Sequence, residues 1–498
     1  MRFLKLAIIM AFAPVLSLQT AVAQTVLTID DCRTMALENS GQSKIAREKL
    51  NAAEYDRKAA FANYLPKVSA MGMYMHNSEN INIVSAEQQT RIAGMGSAVS
   101  DVASDYIVGL LSDPQFLGLL QTDPTLQYLV GKMTTVDISG RLNAIGQEIS
   151  DRLTLDIENV YVGAVTVEQP LFVGGKIHAY NKVTAYAQQL AEVQLEGDDQ
   201  KVMVAADEAY WQIVSIAAKL RLTEQYVELL RQMDHNVEIM MNEGVATQSD
   251  RLSVKVQLND AEMSQVKASN GLALAKMLLC QLCGLPLDSD IMLADESESA
   301  LTIPEDSFTY SKEDLYENRS ELKSLQLAVN MYEEKSRIVR ADFLPTVALI
   351  GNYILTNPSA HDGIKNEFGG MWNVGVMAKI PLFHFGEGMN KYRKAKSDAL
   401  LTQFQLDDAR GKVELQVSQY EKKIAECDSR LEMARKNMEN ARENLRVADI
   451  GFKEGVVEPS LVMAAQTAWL KANSEEIDAS IDRIMAMVYL RQATGMLK

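Results

Sequence analysis

The chain has 498 residues, with 66 acidic against 49 basic side chains and a formal net charge of −17, a balance that argues against nucleic acid as a partner. Four cysteines (Cys32, Cys280, Cys283, Cys427) are too few for a disulfide scaffold, and low aromatic content with only 11 prolines favours long helices. The five histidines show no ligand spacing, and no nucleophile motif or phosphate loop occurs, so no metal, no cofactor and no enzymatic activity are expected.

At the amino terminus, Arg2 and Lys5 precede an apolar run from Leu6 to about Leu18, and Ala21-Val22-Ala23 supplies a small-x-small cleavage pattern. Residues 1–23 are expected to be a signal peptide, with the mature chain starting near Gln24. Losing Arg2 and Lys5 takes the charge from −17 to −19. No cysteine follows the cut, so no lipid anchor is indicated. Past that point no uninterrupted apolar stretch reaches the ~20 residues of a membrane-spanning helix, so entry into a bilayer would have to use β-strands.

Residues 24–290 read as a first structural repeat. Its Tyr64-Leu65-Pro66 corner leads into a strand containing Tyr74, and an insertion covers about 77–159. Inside it, Asp113-Pro114 and Asp123-Pro124 are read as helix starts, an acidic cap followed by proline in the first turn. After Gln169-Pro170-Leu171-Phe172 comes a proline-free helical pattern from His178 to Glu243, which at 1.5 Å per residue would reach roughly 100 Å. Its seam runs Ala209, Ile213, Ile216, Leu220, Thr223, Val227, Leu230, Asp234, Val237 and Met241, a heptad with two polar exceptions. Gly244 turns the chain, and a second helix, Ser249 to Cys283, completes an antiparallel hairpin. The CxxC spacing of Cys280 and Cys283 has no second pair; it reads as a small apolar pair on a helix end, with a disulfide within the helix as the alternative.

Residues 291–303 read as a linker and 304–498 as a second repeat. Phe343-Leu344-Pro345 opens a strand in which Val347, Leu349, Gly351 and Tyr353 alternate with the other face. In the next strand Trp372, Val374, Val376, Ala378 and Ile380 form an apolar face. Ile380-Pro381-Leu382-Phe383 precedes a helix whose seam, Tyr420, Ile424, Cys427, Leu431, Ala434, Met438, Ala441, Leu445, Ala448 and Phe452, follows steps of four and three without a miss. Gly455 is the second turn, and Ser460 to Thr494 returns.

The duplication is numerical. Pro170 and Pro381, Gly244 and Gly455, and Gly284 and Gly495 are all 211 apart, whereas Pro66 and Pro345, and Tyr74 and Tyr353, are 279 apart. The first repeat therefore carries 68 extra residues (279 − 211) between its strands. Two strands per repeat give four per chain, whose open edges cannot sit in lipid. Three copies would supply twelve strands, a permitted size for a closed barrel.

Over essentially its whole mature length the chain resembles the TolC family of outer membrane efflux proteins. The likeness rests on Leu27-Thr28-Ile29-Asp30-Asp31-Cys32 leading to Ala36-Leu37-Glu38-Asn39, on Leu65-Pro66 and Leu344-Pro345, and on Pro170-Leu171-Phe172-Val173-Gly174-Gly175-Lys176. The glycine tips and Gly284-Leu285-Pro286 complete it. The resemblance implies a mainly α protein with a membrane β-barrel: a homotrimer whose α-helical tunnel through the periplasm is topped by a 12-stranded barrel in outer-membrane lipid. It implies a periplasmic membrane-fusion adaptor and an inner-membrane transporter of RND or ABC type as partners, and passive conduction of small molecules or polypeptides.

The hairpin tips are the expected adaptor-docking points: Gly244, Val245, Ala246 and Thr247 in one groove, Gly455, Val456, Val457 and Glu458 in the other. A tip of glycine and small residues permits close approach of a partner helix; the plain alternative is that the glycines only cap helices. In the family, acidic residues just beyond the second tip often narrow the entrance, but Leu461 and Ala464 hold the matching positions here. The constriction is then apolar or shifted to Asp449, Glu454 or Glu458. On the first tip Asp250 matches an acidic position in the family and Arg251 follows it; a solvated charge at a helix start is the competing reading. The insertion is expected outside the cell, as an enlarged surface loop on the barrel mouth, with a lid or a lumen plug as the alternative. The rival from another class, an exported coiled-coil scaffold or adhesin, accounts for the helices but not for duplicated strand pairs between proline corners.

Overall fold

The computed structural model describes residues 25–135, 137–297, 309–359, 361 and 365–497. The expected signal peptide, 1–23, lies outside them, as does 298–303 of the expected linker.

The first repeat contains β1 (Thr25–Leu27), α1 (Ile29–Asn39), α2 (Gly41–Phe61) and β2 (Lys67–His76). There follow β3 (Ile81–Asn82), α3 (Ala86–Ala93), α4 (Met95–Leu111), α5 (Pro114–Thr122), α6 (Pro124–Thr135), α7 (Ile138–Arg152) and β4 (Thr154–Leu155). β5 (Asn159–Val173), α8 (Lys176–Asn242), α9 (Gln248–Cys283) and β6 (Ile291–Leu293) complete it. The second repeat holds α10 (Lys312–Asn318), α11 (Ser320–Ala341), β7 (Thr346–Asn357), β8 (Gly369–Lys379), α12 (Glu387–Lys453) and α13 (Pro459–Thr494).

The repeat extends to single residues. α8 and α12 are both 67 residues long and α9 and α13 both 36, each pair starting 211 apart (387 − 176 and 459 − 248). Gly284 packs against Asn39 and Gly495 against Asn318, so the 211 and 279 offsets meet in one contact. The two repeats are not, however, the two compact units. One unit comprises Met1–Ala60, His178–Val339 and Met389–Lys498, and the other Phe61–Ile177 and Arg340–Gly388. Each repeat contributes to both, because helices pack on helices and strands pair with strands across the repeat boundary.

In the helical unit, the main core gathers Leu27, Cys32, Tyr210, Ile213, Leu279 and Ile484 with their neighbours. β1 pairs with β6 in parallel, Leu27 opposite Leu293, both buried. The first residues of the expected linker are thus a core strand, because Ile291 and Leu293 bury the same face. Every seam position of both long helices is buried or half-buried. The polar exceptions have local reasons: the Thr223 hydroxyl donates to the Lys219 carbonyl at 2.8 Å, and Asp234 takes an ion pair.

In the strand unit, one antiparallel sheet has the order β2-β5-β7-β8. Its register puts Ala70, Val165, Tyr353 and Trp372 in one row, and Val68, Val167, Gly351 and Val374 in another row on the same face. On the opposite face Ser69, Thr166, Asn352 and Asn373 form a row, with the Asn352 amide donating to the Asn373 side-chain oxygen at 3.0 Å. Tyr74 stands opposite Tyr161, ring centroids 5.0 Å apart. The residues between β2 and β5 form the α3–α7 helices closed by the short β3–β4 pair. Asp113 caps α5 by accepting from the Gln115 amide at 2.8 Å, and Asp123 accepts from the Thr125 amide at 2.8 Å. Among the described residues no helix is long and apolar enough to cross a membrane.

Candidate functional site

The two hairpin tips are built on one backbone plan. At the first, Gly244 has φ +77°, its N–H donates to the Met241 carbonyl at 3.0 Å, and the Val245 N–H donates to the Met240 carbonyl at 2.8 Å. At the second, Gly455 has φ +74°, its N–H donates to the Phe452 carbonyl at 3.0 Å, and the Val456 N–H donates to the Gly451 carbonyl at 2.9 Å. A left-handed residue ends a helix with this bond pattern, and glycine adopts that conformation without a Cβ clash. The turn leaves Val245 67% and Val456 80% exposed, so each hairpin presents an uncovered apolar side chain at its end.

Side chains close the two tips differently. Thr247 caps α9: its hydroxyl accepts from the Asp250 amide at 3.2 Å, and the Asp250 carboxylate accepts from the Thr247 amide at 2.9 Å. This reciprocal box satisfies two amides that the helix start would otherwise leave free. The Thr247 hydroxyl and amide hold the Asp250 carboxyl below its ordinary value. Arg251 reaches across the hairpin to Asp234 at 3.4 Å and Glu238 at 2.6 Å. At the second tip Glu458 occupies the cap position without a capping bond from its side chain to the helix amides, and Pro459 starts the helix, where a missing N–H costs nothing. Positions 211 beyond Asp234 and Arg251 hold Leu445 and Val462, which join an apolar cluster with Phe452 and Val457. The first hairpin carries an ionic clamp beside an apolar cluster that both hairpins line, Met233, Val237 and Val254 from one and Phe452 and Val462 from the other; at the two clamp positions themselves the second hairpin has apolar residues.

Within one chain the expected gate residues have local partners or stand exposed. Asp250 is engaged in the cap of α9 and Arg251 within its own hairpin. Asp449 pairs with Lys453 at 2.7 Å on α12, Glu454 adjoins the second tip, and Leu461 is exposed on α13. Asp449 and Lys453 also line a cleft of about 280 Å³ with Gln232, Asn236, Arg442 and Gln466. The sequence reading missed Asp234 and Glu238 as partners of Arg251. The signal was present in the heptad: Asp234 breaks an apolar seam, and a seam carboxylate needs a cation.

The barrel-strand candidates lie in the four-stranded sheet, Tyr74 on β2, Tyr353 on β7, and Trp372, Val374 and Val376 on β8. β2 and β8 are its edges, and all ten residues of β2 are exposed. Among the described residues, no group of His, Cys, Asp and Glu side chains could hold a metal ion.

Comparison with known proteins agrees over most of the chain. A family model described as "Outer membrane efflux protein" matches residues 135–285 and 313–496. The alkaline protease secretion protein AprF of Pseudomonas aeruginosa is 24% identical over 341 residues, 68% of this chain and 70% of that protein. The outer membrane protein TolC of Vibrio cholerae is 24% identical over 298 residues, 56% of this chain and 67% of that protein. Among solved structures, CusC superposes with a TM-score of 0.70 at 13% identity, covering 95% of this chain and 92% of that one.

Proposed function

The chain belongs to the outer membrane efflux protein family and is an outer-membrane channel component of an efflux or secretion system; from that premise we propose that it works as a homotrimeric, passive exit duct. The observation that carries this reading is the sheet. Four strands end in two exposed edges, and one face is apolar while the other carries the Ser69, Thr166, Asn352 and Asn373 row. In hydrocarbon each unpaired edge amide costs several kcal/mol, so β2 of one copy pairs with β8 of the next. Three copies close twelve strands, with the Tyr353 and Trp372 face toward lipid and the asparagine row toward water. The insertion between β2 and β5 then lies on the extracellular side.

Energy comes from an inner-membrane transporter of RND or ABC type, reached through a periplasmic membrane-fusion adaptor. The tips, Gly244 to Thr247 and Gly455 to Glu458, are the docking points, since each ends in an uncovered valine on a turn without bulky neighbours. Asp449, Glu454 and Leu461 narrow the entrance at the second tip; Asp250 and Arg251 fix the first. AprF is named for secretion of a protease, which keeps polypeptides beside small molecules as cargo. Purified protein added to a planar bilayer should give unitary conductance steps, and a trimer should be recovered in native mass spectrometry. A monomer without conductance would sink the reading in favour of a scaffold.

A further inference from the structure

The feature the channel does not use is a thiol pair. Cys32 on α1 and Cys283 at the last turn of α9 are 0% and 1% exposed in the same core. The Cys283 thiol donates to the Cys32 backbone carbonyl oxygen at 3.7 Å, and both thiols are free in this structure. Their bond partner in sequence terms is remote, 251 residues away. We propose that Cys32 and Cys283 are joined by a disulfide in the exported protein, pinning the amino-terminal α1 to the end of the first hairpin.

Three arguments select this pair. First, Cys280 is excluded as the partner of Cys283. Both residues lie within α9, and side chains three apart on a helix stand about 5–6 Å apart at Cβ, beyond the 3.5–4.5 Å a disulfide needs. Second, the internal repeat supplies a comparison. The capping boxes Thr28–Asp31 and Ser311–Asp314 align α1 with α10, and the Gly284 and Gly495 caps align α9 with α13. Counted from the capping boxes the offset is 283, which becomes 279 by Asn39 and Asn318 because α10 is four residues shorter than α1. Counted from these caps, Cys32 corresponds to Leu315 and Cys283 to Thr494, both buried. The second repeat fills this contact with ordinary core residues, and only the first places a thiol on each side. Third, an outer-membrane channel folds after export into an oxidising compartment.

The chemistry balances by thiol–disulfide exchange. Two S–H bonds break and one S–S bond forms, while a protein disulfide of an exchange catalyst takes the two electrons and two protons and leaves as a dithiol. The step belongs before burial: once the core closes, Cys32 and Cys283 are 0% and 1% exposed, and an exchange catalyst cannot reach either sulfur.

The test uses the full chain in intact cells. Free thiols are blocked with N-ethylmaleimide under denaturing conditions, then disulfides are reduced and labelled with iodoacetamide before peptide mass spectrometry. The expected result is iodoacetamide on Cys32 and Cys283 alone, with maleimide on Cys280 and Cys427, and slower gel migration after reduction. Cys283→Ser should move Cys32 to the maleimide class, a readout that does not depend on folding. Maleimide on all four cysteines overturns the proposal, as does a Cys280–Cys283 pair. Neither result bears on conductance, so the channel reading stands or falls separately.

Discussion

The two repeats share a backbone and differ in how they fasten it. In the first, Arg33 of α1 donates from Nε and a terminal nitrogen to both oxygens of Asp207, each at 2.7 Å, and Asp207 is fully buried. Counted from the helix starts, the aligned positions in the second are Tyr316 and Ser418; the Tyr316 hydroxyl donates to Glu414, which also takes an exposed ion pair from Lys312 at 3.3 Å. At the tips the contrast repeats: Arg251 with Asp234 and Glu238 on one side, Leu445 with Val462 and Phe452 on the other. The lesson is that the glycine turn and the heptad seam are sufficient to define the hairpin. The charges and the packing are alternative ways of holding it.

Removing a buried ionic fastening should have the largest effect. Arg33→Ala leaves the Asp207 carboxylate without its cation, which at a fully buried site costs about 3–5 kcal/mol; burial already raises that carboxyl against the opposing pull of Arg33. Amide exchange in α1 should accelerate by more than a hundredfold, whereas Tyr316→Phe should change α10 by less than tenfold. Equal effects would mean that the two repeats are fastened alike.

The turn itself should respond alike in both halves. Gly244→Ala and Gly455→Ala each place a Cβ in a left-handed residue, a cost of about 1–2 kcal/mol, read as faster exchange at Val245 or Val456. A tip indifferent to alanine would not depend on the glycine conformation.

These features differ in how legible they were. Offsets of 211 and 279 residues, the heptad seams and the proline corners are local patterns, so the hairpins, the strand positions and the inserted helix starts at Asp113 and Asp123 follow from sequence. Contacts between distant segments do not. Nothing in Ile291–Leu293 alone announces that it pairs with β1, and a CxxC draws attention to Cys280 when the Cys283 thiol donates to the Cys32 carbonyl, 251 residues away. The gate candidates were chosen by position along the chain, and position does not report that Arg251 turns back onto Asp234 and Glu238.

A smaller effect separates the tips. Arg251→Ala removes a partly buried clamp and should cost about 1 kcal/mol, loosening the first tip about fivefold in exchange while leaving the second unchanged. Arg251→Val with Asp234→Leu, which imports the residues of the other hairpin, should restore most of it; failure to restore would show that the ionic geometry is needed for itself.

The smallest effect is one of pH. The Thr247 bonds depress the Asp250 carboxyl in the folded chain, so its contribution to the cap is present above the unfolded value of 3.8 and is lost as pH falls through the lower folded value. A spin label at Val245 should gain mobility on acidification below that range, and Asp250→Asn should abolish the response. An unchanged titration in that variant would remove the capping box from the account.

The central claim, that these uncovered tips are where a duct meets its pump, is tested most directly by a photo-crosslinker at Val245 and, separately, at Val456 in living cells, with the captured species identified by mass spectrometry. The account predicts capture of a periplasmic adaptor from both tips. Capture of further copies of this chain alone, or of nothing, from both positions would contradict it.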